Sequence, residues 1–509
     1  MERELKLRIT SRDLAKLRRA SLLARGKRGA NPVKLLSSTY FDTPELAFHQ
    51  CGASLRVRGV GQERIQTLKL GGPVQAGMFE RGEFEAPIDR DTPDLTLLRD
   101  ALSADTDCGQ LVRDEAVAAN LAPIFVTRIN RSTIALRTSA ENEIEVALDE
   151  GTIDAPSGSA PIAAVELELK RGKPQGLYAL ALELLQTAPL RIDRRSKADV
   201  GYGLLVAEHA ECIKAQAVQL GKRDSVEEAF CAIAHNCLDQ VHANERGVVS
   251  AHEPACVHQM RVGLRRLRSA LGLFGNVIPA YEGLDDELRW VASELGAARD
   301  WEVLAGPTLD RAGADANAEE LKPVRQACGQ LASENRQRAA AAIESVRYTR
   351  LALEFTLWLD TKKWRDTMTN EARAEVEKPA SQFAAEVMRK RHRKLIKRGK
   401  RLADLDDHRR HRARIAAKKV RYATEFFASL CPKRAVQRYV DALTALQDDL
   451  GWRNDAVVAE RFLQTLPNTF PEAARGAAFA RGYLASRVAA DHRTMTKLWR
   501  RFRRLSAPH

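Results

Sequence analysis

The sequence predicts an α+β N-terminal half, built on an eight-stranded antiparallel β-barrel with flanking helices, followed by an all-α C-terminal half. Three observations support this prediction. Runs of alternating polar and apolar residues recur through about the first 200 residues, as in strands whose side chains point to opposite faces. From residue 225 onward, strand patterns give way to helical ones. The helical half also repeats a basic motif, which indicates two related helical units.

Composition narrows the class of ligand. The chain has 509 residues and a net charge of +14, so we expect more than one domain and an anionic partner such as nucleic acid, a membrane surface or a polyphosphate-like ligand. Its eight cysteines are scattered without zinc-binding or disulfide spacing, which favours a reducing cytoplasm. The sequence shows neither a signal peptide, nor a membrane span, nor a glycine-rich phosphate loop. We therefore predict that side chains hold the ligand.

The first half can be divided into elements in chain order. Residues 1–8 form the first predicted strand, and residues 11–25 form a helix with Ser11 as its N-cap. Further strands are predicted at 37–43, 54–59, 64–70, 80–88, 123–137, 143–153 and 161–170, with helical segments at 94–119 and 177–185. Roughly eight strands in about 200 residues predict a closed antiparallel barrel.

The strands of this half carry charges that are sorted by sign. Some strands offer mainly carboxylates on one face, namely Glu2 and Glu4, Glu143, Glu145 and Asp149, and Glu166 and Glu168. Others offer cations, namely Arg56 and Arg58, Lys69, and Arg128. The simplest interpretation is a solvated face of an antiparallel sheet. The alternative is a barrel interior that binds a metal ion on one wall and a polyanion on the other, since unpartnered buried charges would be very costly.

The motif Glu2-x-Glu4-x-Lys6, taken with the charged residues that follow it in order, resembles the signature of the CYTH superfamily of triphosphate tunnel metalloenzymes over residues 1–205. The resemblance implies an eight-stranded tunnel that hydrolyses or transfers phosphoryl groups with Mg²⁺ or Mn²⁺. It implies Glu2, Glu4 and Lys6 as catalytic residues. It implies metal ligation by Glu2, Glu4, Asp149, Glu166 and Glu168, and substrate binding by Lys6, Arg56, Arg58, Lys69, Glu83, Arg128 and Lys197.

A basic motif occurs twice in the helical half. His258-Gln-Met-Arg261-Val-Gly-Leu-Arg265-Arg266-Leu-Arg268 recurs as His411-Arg-Ala-Arg414-Ile-Ala-Ala-Lys418-Lys419-Val-Arg421 with every spacing retained. Positions i, i+3, i+7 and i+10 form one stripe along a helix. The simplest interpretation is a solvated charged face. Because the stripe occurs in both copies, we favour a basic groove between two pseudo-symmetric units.

This repeat resembles the CHAD domain, a conserved-histidine helical domain, over residues 225–505. The resemblance implies two pseudo-symmetric four-helix bundles that bind inorganic polyphosphate, with residues 206–224 as a linker. It implies polyphosphate contacts by His258, Arg261, Arg265, Arg266, Arg268, His411, Arg414, Lys418, Lys419 and Arg421.

The leading hypothesis is a cytoplasmic, metal-dependent inorganic triphosphatase with a polyphosphate-binding helical half, and polyphosphate granules are a further expected location. The alternatives are a tunnel enzyme acting on a nucleoside or thiamine triphosphate, including an adenylate cyclase, and a non-catalytic polyphosphate-binding scaffold. Specific nucleic-acid binding is not expected, because the basic stripes contain no aromatic residue on which bases could stack. No membrane partner is expected.

Overall fold

The computed structural model describes residues 2–28, 33–60, 63–72, 74–75, 77–138, 141–206, 211–314, 318–490 and 492–508. The chain divides into two compact units. The first comprises Met1–His209 and Glu344–Thr361, and the second comprises Ala210–Ile343 and Lys362–His509. The predicted linker 206–224 lies partly outside the described residues.

One antiparallel sheet forms the centre of the first unit. Its strands are Glu2–Arg8 (β1), Lys27–Arg28 (β2), Lys34–Asp42 (β3), Ala53–Val60 (β4), Glu63–Leu70 (β5), Val74–Gln75 (β6), Met78–Arg81 (β7), Glu83–Ile88 (β8), Ala122–Arg137 (β9), Glu143–Ala155 (β10), Gly158–Arg171 (β11) and Arg191–Ile192 (β12). The long strands follow one another in the order β1, β11, β10, β9, β3, β4, β5.

The bent segment β7–β8 joins the two ends of this sheet. β7 pairs with β1, β8 pairs with β5, and only Gly82 separates β7 from β8. Counting β7 and β8 as one bent strand, eight strand positions follow each other around a ring. The predicted α+β tunnel and the mainly helical C-terminal half are both confirmed.

Two predicted helical segments of the first half, 11–25 and 94–119, break into shorter helices, whereas the predicted helix 177–185 is present and begins two residues earlier. They are Ser11–Leu17 (α1), Ser21–Ala24 (α2), Ala47–Gln50 (α3), Asp107–Leu111 (α4), Glu115–Ala119 (α5), Gln175–Leu185 (α6) and Lys197–Leu205 (α7), with a 3₁₀ turn at Leu95–Leu98. The N-cap of α1 is Thr10, whose hydroxyl accepts a hydrogen bond from the Asp13 N–H at 3.1 Å, so the prediction of Ser11 was wrong. The predicted segment 94–119 breaks into separate turns because Asp94, Thr106 and Asp114 each cap a new one.

The tunnel keeps its charged residues inside and its apolar residues outside. Along β1, Leu5 and Leu7 alternate with Glu4 and Lys6, and both leucines are fully buried in a core shared with α1 and α6. The outer face of the tunnel is therefore covered by helices. This inverts the usual arrangement of a small barrel, whose interior is filled by packed side chains.

The second half of the chain is helical. Its helices are Val226–Ala243 (α8), Glu245–Val249 (α9), Pro254–Phe274 (α10), Leu284–Val303 (α11), Leu309–Ala314 (α12), Lys322–Ile343 (α13), Val346–Asp360 (α14), Asn370–Glu377 (α15), Ala380–Arg398 (α16), Asp407–Phe426 (α17), Lys433–Thr465 (α18), Ala474–Ala490 (α19) and His492–Phe502 (α20). The motif helices α10 and α17 pack against α8 and α11, and against α16 and α18, respectively. The two arrangements match the repeat in the sequence.

One helix from the second half of the sequence belongs to the first unit. α14 packs against α6, and Leu353 is fully buried in the same apolar core as Leu5 and Leu184. The predicted range 225–505 included this helix. Sequence periodicity identifies an apolar face but not the distant segment that covers it, so the assignment of α14 required the structure.

Replacing Leu353 with alanine should destabilise the first unit by about 2–5 kcal/mol, because the change removes buried methyl groups and leaves a cavity. Urea-induced unfolding of the full-length protein measures this loss. Leu97→Ala is the matched control, since Leu97 is 50% exposed and such surface changes typically alter stability by about 0.5 kcal/mol or less. Equal effects of the two substitutions would contradict the assignment of α14 to this core.

Cysteine pairing differs from the prediction. Cys51 and Cys108 form a disulfide, as do Cys212 and Cys256, with Cα–Cα distances of 6.0 and 4.9 Å. The partners lie 57 and 44 residues apart in the sequence, so no local spacing could indicate them. In the part of the chain that the structure describes, no helix is long and apolar enough to cross a membrane.

Candidate functional site

The inner face of the tunnel encloses a cavity of about 300 Å³, lined mainly by charged and polar side chains. Alternation along the strands turns these side chains inward. The predicted residues that line it are Glu2, Glu4, Lys6, Arg56, Arg58, Lys69, Glu83, Glu166, Glu168 and Lys197. The structure thus brings together residues from β1, β4, β5, β8, β11 and α7.

Glu4 is held between two cations beside the closing segment of the ring. Its Oε1 accepts a hydrogen bond from Arg81 Nη2 at 2.8 Å and lies 3.0 Å from Lys6 Nζ. Burial opposes ionisation, but Lys6 keeps the pKa of Glu4 below its usual value. The Arg81 guanidinium also lies over the Phe79 ring, 4.4 Å from its centroid. Arg81 was not predicted, although strand alternation places it on the same face as Glu83.

Glu166 and Asp149 hold a cluster of cations. Glu166 lies 2.5 Å from both Lys197 and Arg131 and 3.4 Å from Lys6. Burial opposes ionisation of Glu166, yet these cations hold its pKa well below the usual value. Asp149 is fully buried and accepts two hydrogen bonds from Arg131, at 2.7 and 2.6 Å. These carboxylates therefore orient the cationic side chains of the tunnel.

A third ion-pair group joins β1, β4, β5 and β8. Lys69 Nζ lies 2.9 Å from Glu2 and 3.0 Å from Glu83, and Arg56 lies 3.6 Å from Glu83. Burial opposes ionisation of Glu83, but Lys69 keeps its pKa below the usual value. The predicted charges of these strands thus neutralise one another in pairs.

Two strands on opposite sides of the ring retain surplus charge. On β4, burial and the neighbouring Arg56 and Arg131 lower the pKa of Arg58 to about 10. On β11, burial and the negative charges of Glu2 and Glu145 raise the pKa of Glu168, although Lys170 lies 2.6 Å away. A like-charge neighbourhood shifts a pKa in this direction because it disfavours the ionised form. One side of the cavity therefore attracts an anion and the other a cation.

The acidic side offers ligands suited to a hard divalent cation. Glu2, Glu4 and Glu168 supply carboxylate oxygens, which Mg²⁺ and Mn²⁺ prefer, and burial together with the charges of Glu2 and Glu145 raises the pKa of Glu168. Among the described residues, no group of three or more His, Cys, Asp or Glu lies at metal-binding distance, since each carboxylate is drawn to a cation. These three residues fit a metal chemically. Glu166 also lines the cavity, whereas Asp149 is not among its lining residues, and Lys197 and Arg131 engage both carboxylates. Their predicted metal ligation stays a prediction.

Arg128 does not face the tunnel, and that prediction was wrong. Its side chain is 58% exposed and pairs with Asp154. The β9 residues that face inward and line the cavity are Thr127, Ile129 and Arg131. Arg131 was missed. The inward face of β9 is partly apolar and its outward face partly polar, so the hydropathy pattern did not distinguish them.

A second charged cavity, of about 610 Å³, lies in the helical unit. We call it the central groove. It is lined by His258, Arg261 and Arg265 from α10 and by the equivalent His411, Arg414 and Lys418 from α17, together with Arg299, Asp300, Arg453, Asp455 and others. The spacing i, i+3, i+7 of each motif therefore faces one space.

The remaining predicted groove residues lie elsewhere. Arg266 is buried and bonds to Gln240 and Asn236. Arg268 pairs with Asp285, and Arg421 pairs with Glu425. These positions, and Lys419, are not among the residues that line the groove. Position i+8 lies about 80° away from position i around a helix, which turns Arg266 and Lys419 off the stripe.

A second, shorter segment is also repeated in the sequence, as Leu295-Gly-Ala-Ala-Arg-Asp300 and Leu450-Gly-Trp-Arg-Asn-Asp455, and its final carboxylates order the groove arginines. Arg261 lies 2.9 Å from Asp300, and Arg414 lies 3.9 Å from Asp455. The sequence echo of Leu295–Asp300 at Leu450–Asp455 thus places equivalent carboxylates opposite equivalent arginines.

Two basic groups of the central groove have pKa values that burial lowers. Burial and the nearby Arg414, Arg265 and Arg261 lower the pKa of Lys418 to about 7. Burial and Arg299 lower the pKa of His258 to about 4. Burial and the neighbouring positive charges together therefore allow this lysine to lose its proton near neutral pH.

Comparison with known proteins matches both halves of the chain. The model of the CYTH domain matches residues 1–202, and the model of the CHAD domain matches residues 232–464. An inorganic triphosphatase of Haemophilus influenzae is 34% identical over 172 residues, which are 33% of this chain and 45% of that protein. The chain thus spans less than half the length of this curated relative.

Solved structures give similar matches. The crystal structure of the CHAD domain from the plant Ricinus communis is 39% identical, with a TM-score of 0.54, and the match covers 59% of this chain and 99% of that one. HpAC1 from Hippeastrum, described as a putative adenylyl cyclase with a dominant triphosphatase activity, is 20% identical with a TM-score of 0.30, over 40% of this chain and 96% of that one.

Proposed function

Because this chain belongs to the proteins that join an N-terminal CYTH domain to a C-terminal CHAD domain, we propose that its tunnel hydrolyses inorganic triphosphate to pyrophosphate and phosphate. The relative from Haemophilus influenzae, an inorganic triphosphatase, supports this reaction. We further propose that the reaction depends on Mg²⁺ or Mn²⁺, and that the central groove binds inorganic polyphosphate.

The observation that carries the proposal is the separation of charge across the tunnel. Arg58 on β4 and Glu168 on β11 lie four strand positions apart in a ring of eight, and burial together with neighbouring charges of the same sign shifts the pKa of each toward its neutral form. A triphosphate with a bound divalent cation carries the complementary pair of charges. Phosphoryl transfer is accelerated chiefly by positioning and by neutralising charge, which this arrangement provides.

The cations of the tunnel would hold the phosphates. Arg56 and Arg58 provide planar guanidinium groups that suit two-point contact with phosphate oxygens. Lys69, Arg131 and Lys197 approach from the neighbouring strands and α7, and their carboxylate partners fix their positions. Because Asp149 and Glu166 are already charged and paired, these cations need little reorganisation when substrate binds.

Glu2, Glu4 and Glu168 would hold the metal ion. A bound divalent ion neutralises phosphate charge and lowers the pKa of water that attacks the terminal phosphorus. Binding would release Glu4 from Lys6, which lies 3.0 Å away. Lys6 would then be available to a phosphate oxygen. β1 would therefore contribute both to metal binding and to phosphate binding.

Phosphate release by the full-length protein tests the proposal. Inorganic triphosphate, ATP, thiamine triphosphate and long-chain polyphosphate would be compared, each with Mg²⁺ and with EDTA. We expect metal-dependent release chiefly from triphosphate. Preference for ATP or thiamine triphosphate would reassign the substrate, and absence of release from all four would favour the non-catalytic scaffold.

Polyphosphate binding in the central groove should be pH-dependent because Lys418 is discharged near neutrality. Its pKa is about 7 when the groove is empty, lowered by burial and by Arg414, Arg265 and Arg261 against the opposing effect of Asp455. A bound polyanion favours the charged form, so binding takes up a proton. The Kd for polyphosphate should therefore rise with pH above 7, by up to about tenfold per pH unit.

Fluorescence titration of labelled polyphosphate between pH 6 and 9 measures this dependence. Lys418→Arg should flatten the profile, since arginine stays charged throughout this range. Lys222→Arg is the matched control, because Lys222 is exposed outside the groove. An unchanged slope in Lys418→Arg would contradict the role given to Lys418.

A further inference from the structure

A third basic cavity lies at the C-terminal end of the helical unit, apart from the central groove. It encloses about 780 Å³ between the first turns of α18 and the exposed face of α20. Its cations are Arg438 from α18 and Arg493, Lys497, Arg500, Arg501 and Arg504 from the C-terminal segment. We call this cavity the outer groove. Most of its cations follow residue 464, where the CHAD match ends.

Most of the cations of the outer groove lie on one face of α20. Arg493, Lys497, Arg500 and Arg501 fall within about 100° of one another around the helix, Arg504 follows its last residue, and all five are exposed. The opposite face of α20 is apolar, with Met495, Trp499 and Phe502 buried in a core shared with α16, α17 and α18. That packing fixes which side of α20 faces the groove, so the cations stay concentrated there.

These charges are not neutralised within the protein. In the part of the chain that the structure describes, none of the six cations has a carboxylate within ion-pair distance, whereas most arginines of the tunnel do. Asp441, the acidic residue of the lining, accepts a hydrogen bond from Gln437 at 2.7 Å. Like charges three or four residues apart destabilise a helix. A bound polyanion would relieve this repulsion.

The lining indicates which kind of polyanion fits. Apart from the cations it offers only Asp441, the hydroxyl of Thr496 and the aliphatic Leu505, and Trp499 is buried behind it. Bases of a single strand would find no aromatic surface on which to stack. A membrane would find no exposed apolar residue to insert, since Leu505 is half-buried. The lining therefore fits a polyanion that carries a charge at every repeating unit and has neither bases nor an apolar part.

We propose that the outer groove is a second binding site for linear inorganic polyphosphate, used by chains long enough to occupy the central groove at the same time. α18 lines both cavities, with Asp441 at one and Leu450 at the other, which is about 14 Å along a helix. When one protein molecule has two sites, a long polyphosphate that occupies both binds more tightly than either site alone would allow, whereas the affinity for a short polyphosphate is unchanged. The inference rests on the proposed function of the central groove.

The test uses the full-length protein with Arg493, Lys497, Arg500 and Arg501 all changed to glutamine. Its matched control changes Arg12, Lys16, Arg19 and Arg25, which are equally exposed on the first unit, so the net charge is the same. A third variant changes Arg261, Arg265, Arg414 and Lys418 of the central groove to alanine. Binding of short oligophosphate, long-chain polyphosphate and duplex DNA would be measured, with circular dichroism to check folding and triphosphate hydrolysis as a reference.

We expect the outer-groove variant to weaken long-chain binding by about 10- to 100-fold, with a shallower salt dependence. Short-chain binding, hydrolysis and the control variant should stay unchanged. An equal loss in the control variant, or no loss in the outer-groove variant, would overturn the proposal, as would a larger loss for DNA than for polyphosphate. If the central-groove variant binds short and long polyphosphate normally, the proposed function of the central groove fails, and a loss confined to the outer-groove variant would then make the outer groove an independent single site, which overturns the two-site proposal.

Discussion

Replacing Glu4 with glutamine should lower kcat/KM for triphosphate by about 100- to 1,000-fold or more. The change keeps the size of the side chain but removes the charge that lies 2.8 Å from Arg81 and 3.0 Å from Lys6. It also removes one of the carboxylates proposed to hold the metal. Loss of a single group that stabilises charge in the reaction costs an enzyme roughly this factor, and weaker metal binding adds to it.

Glu80→Gln provides the matched control for this experiment. Glu80 lies next to Arg81 on β7, and its carboxylate accepts a hydrogen bond from Arg3 at 2.7 Å on the outer face of the same two strands. Both substitutions break one carboxylate–arginine pair, but only Glu4 faces the cavity. Glu80→Gln should leave hydrolysis nearly unchanged, because a partly exposed ion pair contributes about 1 kcal/mol or less.

Metal binding separates a chemical role of Glu4 from a structural one. Mn²⁺ affinity of the folded protein, measured by electron paramagnetic resonance, should fall in Glu4→Gln and not in Glu80→Gln. Thermal unfolding should show that the variant still folds, since glutamine can still accept the hydrogen bond from Arg81. Near-normal turnover and Mn²⁺ affinity in a folded Glu4→Gln protein would contradict the assignment of Glu4 as a metal ligand.

The tunnel was largely predictable because two independent patterns agreed. The alternation of polar and apolar residues predicted the strands. The sorting of charge by strand indicated an interior that binds ligands, as Glu2, Glu4 and Lys6 illustrate. Prediction failed where polarity could not distinguish the two faces of a strand. On β9 both faces mix polar and apolar residues, and the pairing of Arg131 with Asp149 in the register of β10 decides which side is inward.

Features that depend on distant partners were not predictable in the same way. The burial of Leu353 depends on α6, more than 160 residues earlier in the chain, and the central groove depends on how α10 and α17 face each other. The repeat in the sequence identified the stripes, but three of its four positions turned inward in each copy. The last position found a carboxylate on its own side, as Arg268 did with Asp285.

The contrast between Arg128 and Arg131 gives the sharpest test of the corrected tunnel. Arg131→Ala should lower kcat/KM by about 100- to 1,000-fold, because the guanidinium that orients Asp149 and Glu166 and faces the phosphate site is lost. Arg131→Lys should recover only part of this, since an ammonium group cannot bridge both carboxylates. Arg128→Ala should leave hydrolysis nearly unchanged, because its exposed pair with Asp154 contributes about 1 kcal/mol or less.

Substitution of Arg131 should also lower the stability of the protein more than substitution of Arg128. Removing Arg131 leaves the buried carboxylate of Asp149 with Lys197 as its remaining ion-pair partner, and breaking such a buried pair typically costs about 3–5 kcal/mol when no other cation remains. With Lys197 retained, the loss in thermal stability should be smaller but clearly measurable. A variant of Arg128 that loses activity as severely as the Arg131 variant would mean that β9 faces the other way, because a shift of one residue exchanges the two faces of a strand. The register of β9 therefore decides which of the two arginines faces the phosphate site.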